Sequence, residues 1–255
     1  MKLTIDDEGN TLVQHVDGGE RRLDLYGKEA FELLSHQWLR LAWNQKYTYT
    51  FSWMGRPIIQ LPEDMVRAQE VIHRIQPDVL VETGVAHGGS LIFYASLFKA
   101  MGRGRVIGID IDIRPHNRSA IETHVLAPLI TLVEGDSLSL ETVSRVKSLV
   151  APNERVLLVL DSCHTKAHVA GELAAYHGLV SPGSYAVVTD GFMKDLSDVP
   201  RGDRGWASDN PVAATLEFLR EHPEFDLEQP RWPFNESALT ENLTHWPRAW
   251  LKRKE

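Results

Sequence analysis

Five short apolar runs recur between residues 79 and 191, and each carries an acid at or just before its C-terminal end. The runs are VLVETG (79–84), RVIGIDID (105–112), ITLVEGD (130–136), RVLLVLDS (155–162) and SYAVVTDG (184–191); the acids are Glu82, Asp110, Asp136, Asp161 and Asp190. Helical patterns separate or follow them at 90–102, 138–150, 166–178 and 211–222, and another, 64–75, precedes the first run and stops before Pro77. Runs this apolar predict strands buried on both faces. Their alternation with helices predicts an α/β fold: a Rossmann-like, doubly wound, mostly parallel sheet with helices on both faces. In such a sheet the C-terminal strand ends share one edge, where ligands bind. A single acid after a strand is as readily a helix cap or a turn former. Five in phase, three beside Gly-rich turns, favour a shared ligand crevice.

The first 62 residues read differently, as an N-terminal hairpin and helix cap ahead of a main domain at 63–255. LTI and TLVQHV flank the turn candidate Glu8-Gly9-Asn10. Phe31, Leu34, Trp38, Leu41 and Ala42 then recur at helical spacing. Residues 47–62 are aromatic, punctuated by Pro and expected to be irregular. FDLEQP and AWLKRKE are candidate closing strands near the C-terminus.

Charge narrows the partners. With 27 Lys+Arg against 35 Asp+Glu the formal net charge is −8, which argues against a nucleic-acid or anionic-membrane partner. Cys163 is alone, so no internal disulfide or Cys-rich zinc site can form. No apolar run approaches the roughly 18 residues of a membrane span, and the N-terminus lacks an apolar signal core. The expectation is a cytoplasmic protein.

The first turn, ETGVAHGGS (82–90), places Gly84, Gly88 and Gly89 before a helix whose N–H groups face the crevice. Its G-x-x-x-G-G spacing spoils the nicotinamide fingerprint G-x-G-x-x-G, and no phosphate loop is present. Asp110, 26 residues after Gly84, suits both hydroxyls of a ribose, with Asp112 as its competitor. Asp136 and Ser137 follow the third strand, where an adenine ring would lie; Ser137 is also a candidate N-cap for the helix after it. These features suggest a nucleoside-bearing cofactor without a diphosphate.

At these motifs the chain resembles class I S-adenosylmethionine (SAM)-dependent methyltransferases. More narrowly it is similar to the cephalosporin hydroxylase / rhamnosyl O-methyltransferase branch. The matching stretches are GRPIIQLPED (55–64), VETGVAHGGS (81–90), VIGIDIDIRPHNR (106–118), EGDS (134–137), LVLDSCHTKAHVAGEL (158–173), GSYAVVTD (183–190) and NPVAATLEFLREHPEF (210–225). The resemblance implies a seven-stranded sheet, SAM as methyl donor, homo-oligomers and, in several members, a divalent metal such as Mg²⁺. It assigns cofactor contacts to Glu82, Gly84, His87, Gly88, Ser90, Asp110, Asp136, Ser137 and Asp161. His87 is equally well a residue that simply fits the turn.

Asp161 and Asp190 end neighbouring strands, and two hard oxygen ligands suit Mg²⁺. The family pattern has an acidic pair after the fifth strand; here it reads Thr189-Asp190, so one carboxylate is missing. The Thr189 hydroxyl, water, or Asp209 and Asn210 would compensate. His164 stands at the offset where the family places its base, and a neutral imidazole suits that task. The H-x-x-x-H pair His164 and His168 lacks the third ligand of a zinc site, and His168 reads as a packing or capping residue. All seven tryptophans fall outside 54–205. Most read as packing, while Trp206 in the polar loop 200–210, expected to be mobile, is the candidate to face substrate with Asp209 and Asn210. The late segment FNESALTENLTHWPRAWLKR is a further candidate wall of the acceptor pocket. The resemblance thus implies a Mg²⁺-assisted O-methyltransferase acting on a hydroxyl of a sugar, oligosaccharide or glycosylated small molecule, with Asp161 and His164 at the reacting centre. The competing readings are an antibiotic-tailoring enzyme of the same branch, a SAM-binding paralogue without turnover, and a nicotinamide oxidoreductase.

Overall fold

A computed structural model describes residues 2–255. Its central sheet has seven strands: β1 (Val79–Thr83), β2 (Arg105–Asp110), β3 (Ile130–Glu134), β4 (Val156–Leu160), β5 (Tyr185–Val188), β6 (Phe225–Leu227) and β7 (Trp250–Arg253). Their spatial order is β6-β7-β5-β4-β1-β2-β3. β1 to β5 run parallel, and β7 is antiparallel to both β5 and β6. The chain leaves β1 toward one edge, returns to β4 and continues toward the other, so the order reverses between β1 and β4. That is the switch point at which doubly wound sheets bind ligands.

The helices are α1 (Lys28–Asn44), α2 (Pro62–Ile75), α3 (Gly89–Met101), α4 (Pro115–Glu122), α5 (Leu140–Ser148), α6 (Lys166–Tyr176) and α7 (Pro211–Glu221). Side-chain alternation along the strands divides the core in two. Leu80, Val106, Leu157, Val159, Tyr185 and Val187 pack with α2 and α3 on one face. Val79, Val81, Ile107, Ile109, Leu158, Leu160, Ala186 and Val188 pack with α5, α6 and α7 on the other. Both faces are covered, which is why the runs are apolar at every position.

Local chemistry starts the helices on the C-terminal side of the sheet. Ser139, Thr165 and Asn210 cap α5, α6 and α7 by accepting from the backbone N–H groups of Thr142, His168 and Ala213. The cap of α5 is therefore Ser139 and not the expected Ser137. α3 ends at Gly102, whose φ of 71° closes the helix.

The N-terminal hairpin is a three-stranded antiparallel sheet, Lys2–Asp6, Thr11–Val16 and Gly19–Asp24. Its third strand, GERRLD, is almost wholly exposed and carries no apolar alternation to betray it. Of the apolar stripe on α1, Ala42 is buried and Leu34 half-buried, while Phe31, Trp38 and Leu41 are exposed; Ala30 and Leu39 are the other buried positions. α4 was not expected either; only its Asn117 and Ile121 are buried. No helix among the described residues is long and apolar enough to cross a membrane.

Candidate active site

Residue parity sorts the five acids. Glu82 shares the face of Leu80, so it points at α3 and accepts from Ser90 Oγ at 2.8 Å. It is fully buried, and desolvation together with the neighbouring Asp161 drives its pKa well above the usual carboxylate range. Asp110 ends β2 and ties down the first turn: Oδ2 accepts from Val85 N at 2.8 Å and Ala86 N at 3.2 Å, and Oδ1 from Asp112 N. Asp136 lies two residues past β3 and accepts from Leu138 N. Asp161 and Asp190 follow β4 and β5.

These strand ends line a cavity of about 360 Å³ whose walls include Gly84, Ala86, Asp110, Asp136, Ser137, Asp161, Ser162 and His168. A smaller recess shares Gly84, Ala86 and Asp161 and adds Gln60, His87 and Ser90. Gly84 has φ +95°, and a Cβ there would lie 2.0 Å from the Asp161 carbonyl oxygen, so only glycine lets β1 and β4 turn this closely. The turn is clamped from outside: Arg56 Nε and Nη2 donate to the His87 carbonyl, and Asn117 Nδ2 donates to the Ala86 carbonyl. Gly88 is the N-cap of α3, in the left-handed region. Within the recess Gln60 Oε1 is buried without a partner, as is Glu82 Oε1 beside it.

Beneath the cavity lies a hub that sequence reasoning missed. Glu172 on α6 is fully buried and accepts from Thr83 Oγ1 (3.1 Å), Ser137 Oγ (2.7 Å) and Ser162 Oγ (2.7 Å), with His168 Nε2 at 3.2 Å. Ser137, expected as a cap or cofactor contact, thus donates its hydroxyl inward while its residue lines the cavity.

At the far side of Asp161, three ligand atoms from Asp161, His164 and Asp190 lie within 4.8 Å of one another. His164 Nε2 is 3.4 Å from Asp190 Oδ2. Burial raises the Asp190 pKa to about 6, against the opposing pull of His164 and with a further push from Asp161. Thr189 does not face this trio. It is fully buried and its hydroxyl donates to Leu160 O at 3.0 Å and Asp161 Oδ1 at 2.6 Å. The expectation that it contacts metal is corrected: strand alternation turns it inward, where it orients Asp161. Gln60 Nε2 donates to the other Asp161 oxygen at 3.3 Å.

A second pocket of about 200 Å³ opens on Asp190 and is lined by Trp43, Lys46, Thr48, Tyr49, Ile59, Arg201, Trp206 and His245. Trp206 stands edge-on to Trp43 with centroids 6.3 Å apart, and His245 does so at 5.3 Å. Four of the eight come from the stretch just after or at the end of α1, a signal hidden in a segment that reads as a separate cap. The loop 200–210 is organised by a short 3₁₀ turn, Arg204–Ala207, whose Gly205 amide donates to the Asp203 cap. Of the two loop residues expected to face substrate, Asp209 is exposed and Asn210 is buried. Asp209 Oδ1 accepts from Lys166 N at 2.6 Å. Asn210 is 3 % exposed; its oxygen caps α7 and its amide donates to Trp206 O. An Asn immediately before Pro211 was a helix-start signal.

The family described as rhamnosyl O-methyltransferase/CmcI matches residues 45–254. A rhamnosyl O-methyltransferase of Mycobacterium leprae is 27% identical over 194 residues, covering 74% of this chain and 77% of that protein. One from Mycobacterium bovis is 28% identical over 162 residues, 61% of either chain. Among solved structures, CmcI with Mg and SAM superimposes with a TM-score of 0.54 at 21% identity, over 81% of this chain and 78% of that one. MycE, a methyltransferase from the mycinamycin biosynthetic pathway in complex with Mg and SAH, does so with a TM-score of 0.50 at 18% identity, over 94% and 66%.

Proposed function

This chain belongs to the rhamnosyl O-methyltransferase/CmcI family, and from that premise we propose that it is a SAM-dependent O-methyltransferase whose acceptor is a hydroxyl of a sugar or glycosylated small molecule, with His164 as general base. One observation carries the reading. Asp161 lines the strand-end cavity, Asp190 lines the tryptophan-walled pocket, and the two stand with His164 in one close trio, so a donor in the first and an acceptor in the second would face each other across it.

The residues present fit both absent groups. The cavity offers the Asp110 and Asp136 carboxylates and the recess an unpartnered Gln60 Oε1, a set of acceptors for the ribose hydroxyls, the base amino group and the ammonium of SAM. Asp161 and Asp190 offer two hard oxygens that would hold Mg²⁺ with water filling the other positions, which leaves the His164 imidazole beside them free as a base. When bound, SAM supplies an electrophilic methyl group and Mg²⁺ a charge that lowers the pKa of the acceptor hydroxyl.

The chain's own groups do the rest. Asp110 fixes the turn against which the donor lies, and Glu172 fixes three of the strand-end residues around it. Trp43 and Trp206 give the acceptor flat apolar walls and keep water from the reacting pair. His164 Nε2 takes the hydroxyl proton, and Asp190 Oδ2 at 3.4 Å stabilises the imidazolium that results. Thr189 and Gln60 hold the Asp161 carboxyl in place.

The test is methyl transfer from labelled SAM to a panel of sugars and glycosides, with and without EDTA. Label transfer to a glycoside that EDTA suppresses supports the proposal. SAM binding with no transfer to any glycoside would favour a paralogue without turnover.

A further inference from the structure

The opposite end of α6 and α7 carries a cluster that the methyl-transfer chemistry does not use. His177 directly follows α6, His222 is the C-cap of α7, and Glu224 leads into β6. One ligand atom from each lies within 4.8 Å of the others, and all three residues are partly exposed. α6 has 11 residues, so its length, about 16 Å, separates this cluster from the cavity at the other end.

Four features distinguish it from ordinary packing. First, His177 Nδ1 lies 2.8 Å from the Leu173 carbonyl. A carbonyl only accepts, so Nδ1 carries the proton and Nε2 of the neutral ring carries the lone pair. A backbone carbonyl holding the far nitrogen is the arrangement that orients metal-binding histidines. Second, His222 Nδ1 is 2.9 Å from Glu224 Oε1. Ligands about 2.0–2.1 Å from a tetrahedral ion are about 3.3 Å apart, so the spacings in the trio bracket what an ion requires. Third, the His177 and His222 rings lie with centroids 4.4 Å apart, so the two imidazoles share one locus. Fourth, α6 and α7 both present their C-terminal ends here, and the partial negative charge of helix C-termini favours a cation.

We propose that His177, His222 and Glu224 form a binding site for a zinc-class divalent transition ion, remote from the methyl-transfer centre, that pins the ends of α6 and α7 to the start of β6. Two imidazoles and one carboxylate select for borderline-soft ions over Mg²⁺, whereas the Asp161–His164–Asp190 trio, with two carboxylates, is the harder site. On binding, the ion takes the place of a proton on His222 Nδ1, and that proton passes to solvent. His222 stacks on Phe218 with centroids 4.1 Å apart, which holds the ring in position.

The experiment titrates Zn²⁺ against a chromophoric chelator into metal-stripped full-length protein, with excess Mg²⁺ present to occupy the harder trio. One Zn²⁺ equivalent that survives the Mg²⁺, releases protons, and weakens at least tenfold in His177→Ala and in Glu224→Gln is the expected result. Glu224→Gln changes a partly exposed side chain without altering its size, and a melting shift with SAH shows that each variant is folded. Absence of Zn²⁺ binding in the presence of Mg²⁺, or equal affinity in the folded variants and the parent, would overturn the proposal and leave a stacked aromatic cluster only.

Discussion

Replacing Glu172 tests whether the cavity is held from beneath. Its carboxyl group receives three hydroxyl donors and the His168 ring, from β1, the loop after β3, the loop after β4 and its own helix. In Glu172→Ala all four partners lose their acceptor at once. At about 1 kcal/mol net for each hydrogen bond, the loss is about 4 kcal/mol, reduced to about 3 where water enters the space and satisfies part of the set. Glu172→Gln keeps the shape and one acceptor oxygen. The Thr83 hydroxyl can accept from the new amide, so the expected cost is about 1–2 kcal/mol. Urea unfolding monitored by circular dichroism gives both numbers, and calorimetric titration with SAH gives the second readout. Because Ser137, Ser162 and His168 line the cavity, SAH affinity should fall in the same order, parent, Gln, Ala. An Ala variant within 0.5 kcal/mol of the parent, with unchanged SAH affinity, would refute the hub.

Gly84→Ala forces a Cβ to within 2.0 Å of the Asp161 carbonyl at φ +95°; loss of SAH binding, with a melting temperature lowered by several degrees, is the expected result by thermal shift. Trp206→Ala should raise the acceptor KM while leaving SAH affinity unchanged, since Trp206 lines only the second pocket; initial-rate kinetics separate the two. Asp64 is fully buried beneath Thr244 and His245, and desolvation raises its pKa to about 8. The folded state therefore holds its proton at pH values where the unfolded state, near 3.8, has released it. Stability from this group is full below pH 4 and drains as pH rises toward 8, by up to about 1.4 kcal/mol per unit. Asp64→Asn cannot titrate, so its stability relative to the parent should improve between pH 5 and 8 in parallel melts.

The central sheet was legible because strands buried on both faces leave unbroken apolar runs, as in VLLVL at Val156–Leu160. Weakly buried elements left no such trace: GERRLD and α4 expose most of their residues. The acids were legible in position but not in direction. A shift of one residue along a strand reverses the face, which turns Glu82 to α3 while Thr83 meets Glu172 on α6. Glu172 itself reads as an ordinary helix surface residue in AGELAAY, because its partners Thr83 and Ser137 stand 89 and 35 residues away. The second pocket was hidden for the same reason: Trp43 and His245 approach from opposite ends of the chain.

His164 occupies a position with two possible chemistries, and they exclude one another at Nε2. As a base it needs a free lone pair there; as a third ligand to Mg²⁺ it has given that pair away. Its Nε2 lies 3.4 Å from Asp190 Oδ2, and the trio's ligand atoms span no more than 4.8 Å, so distance alone permits either. Donor hardness favours the base. Mg²⁺ takes oxygen ligands and keeps several waters, and Thr189 steadies Asp161 without competing for the metal. His164→Ala is then expected to lower kcat by about 10²–10⁴, with the Mg²⁺ concentration for half-maximal activity unchanged within twofold. SAH affinity should also hold, because His164 is absent from the cavity walls. A variant whose activity returns at high Mg²⁺ would make His164 a ligand and sink the base assignment.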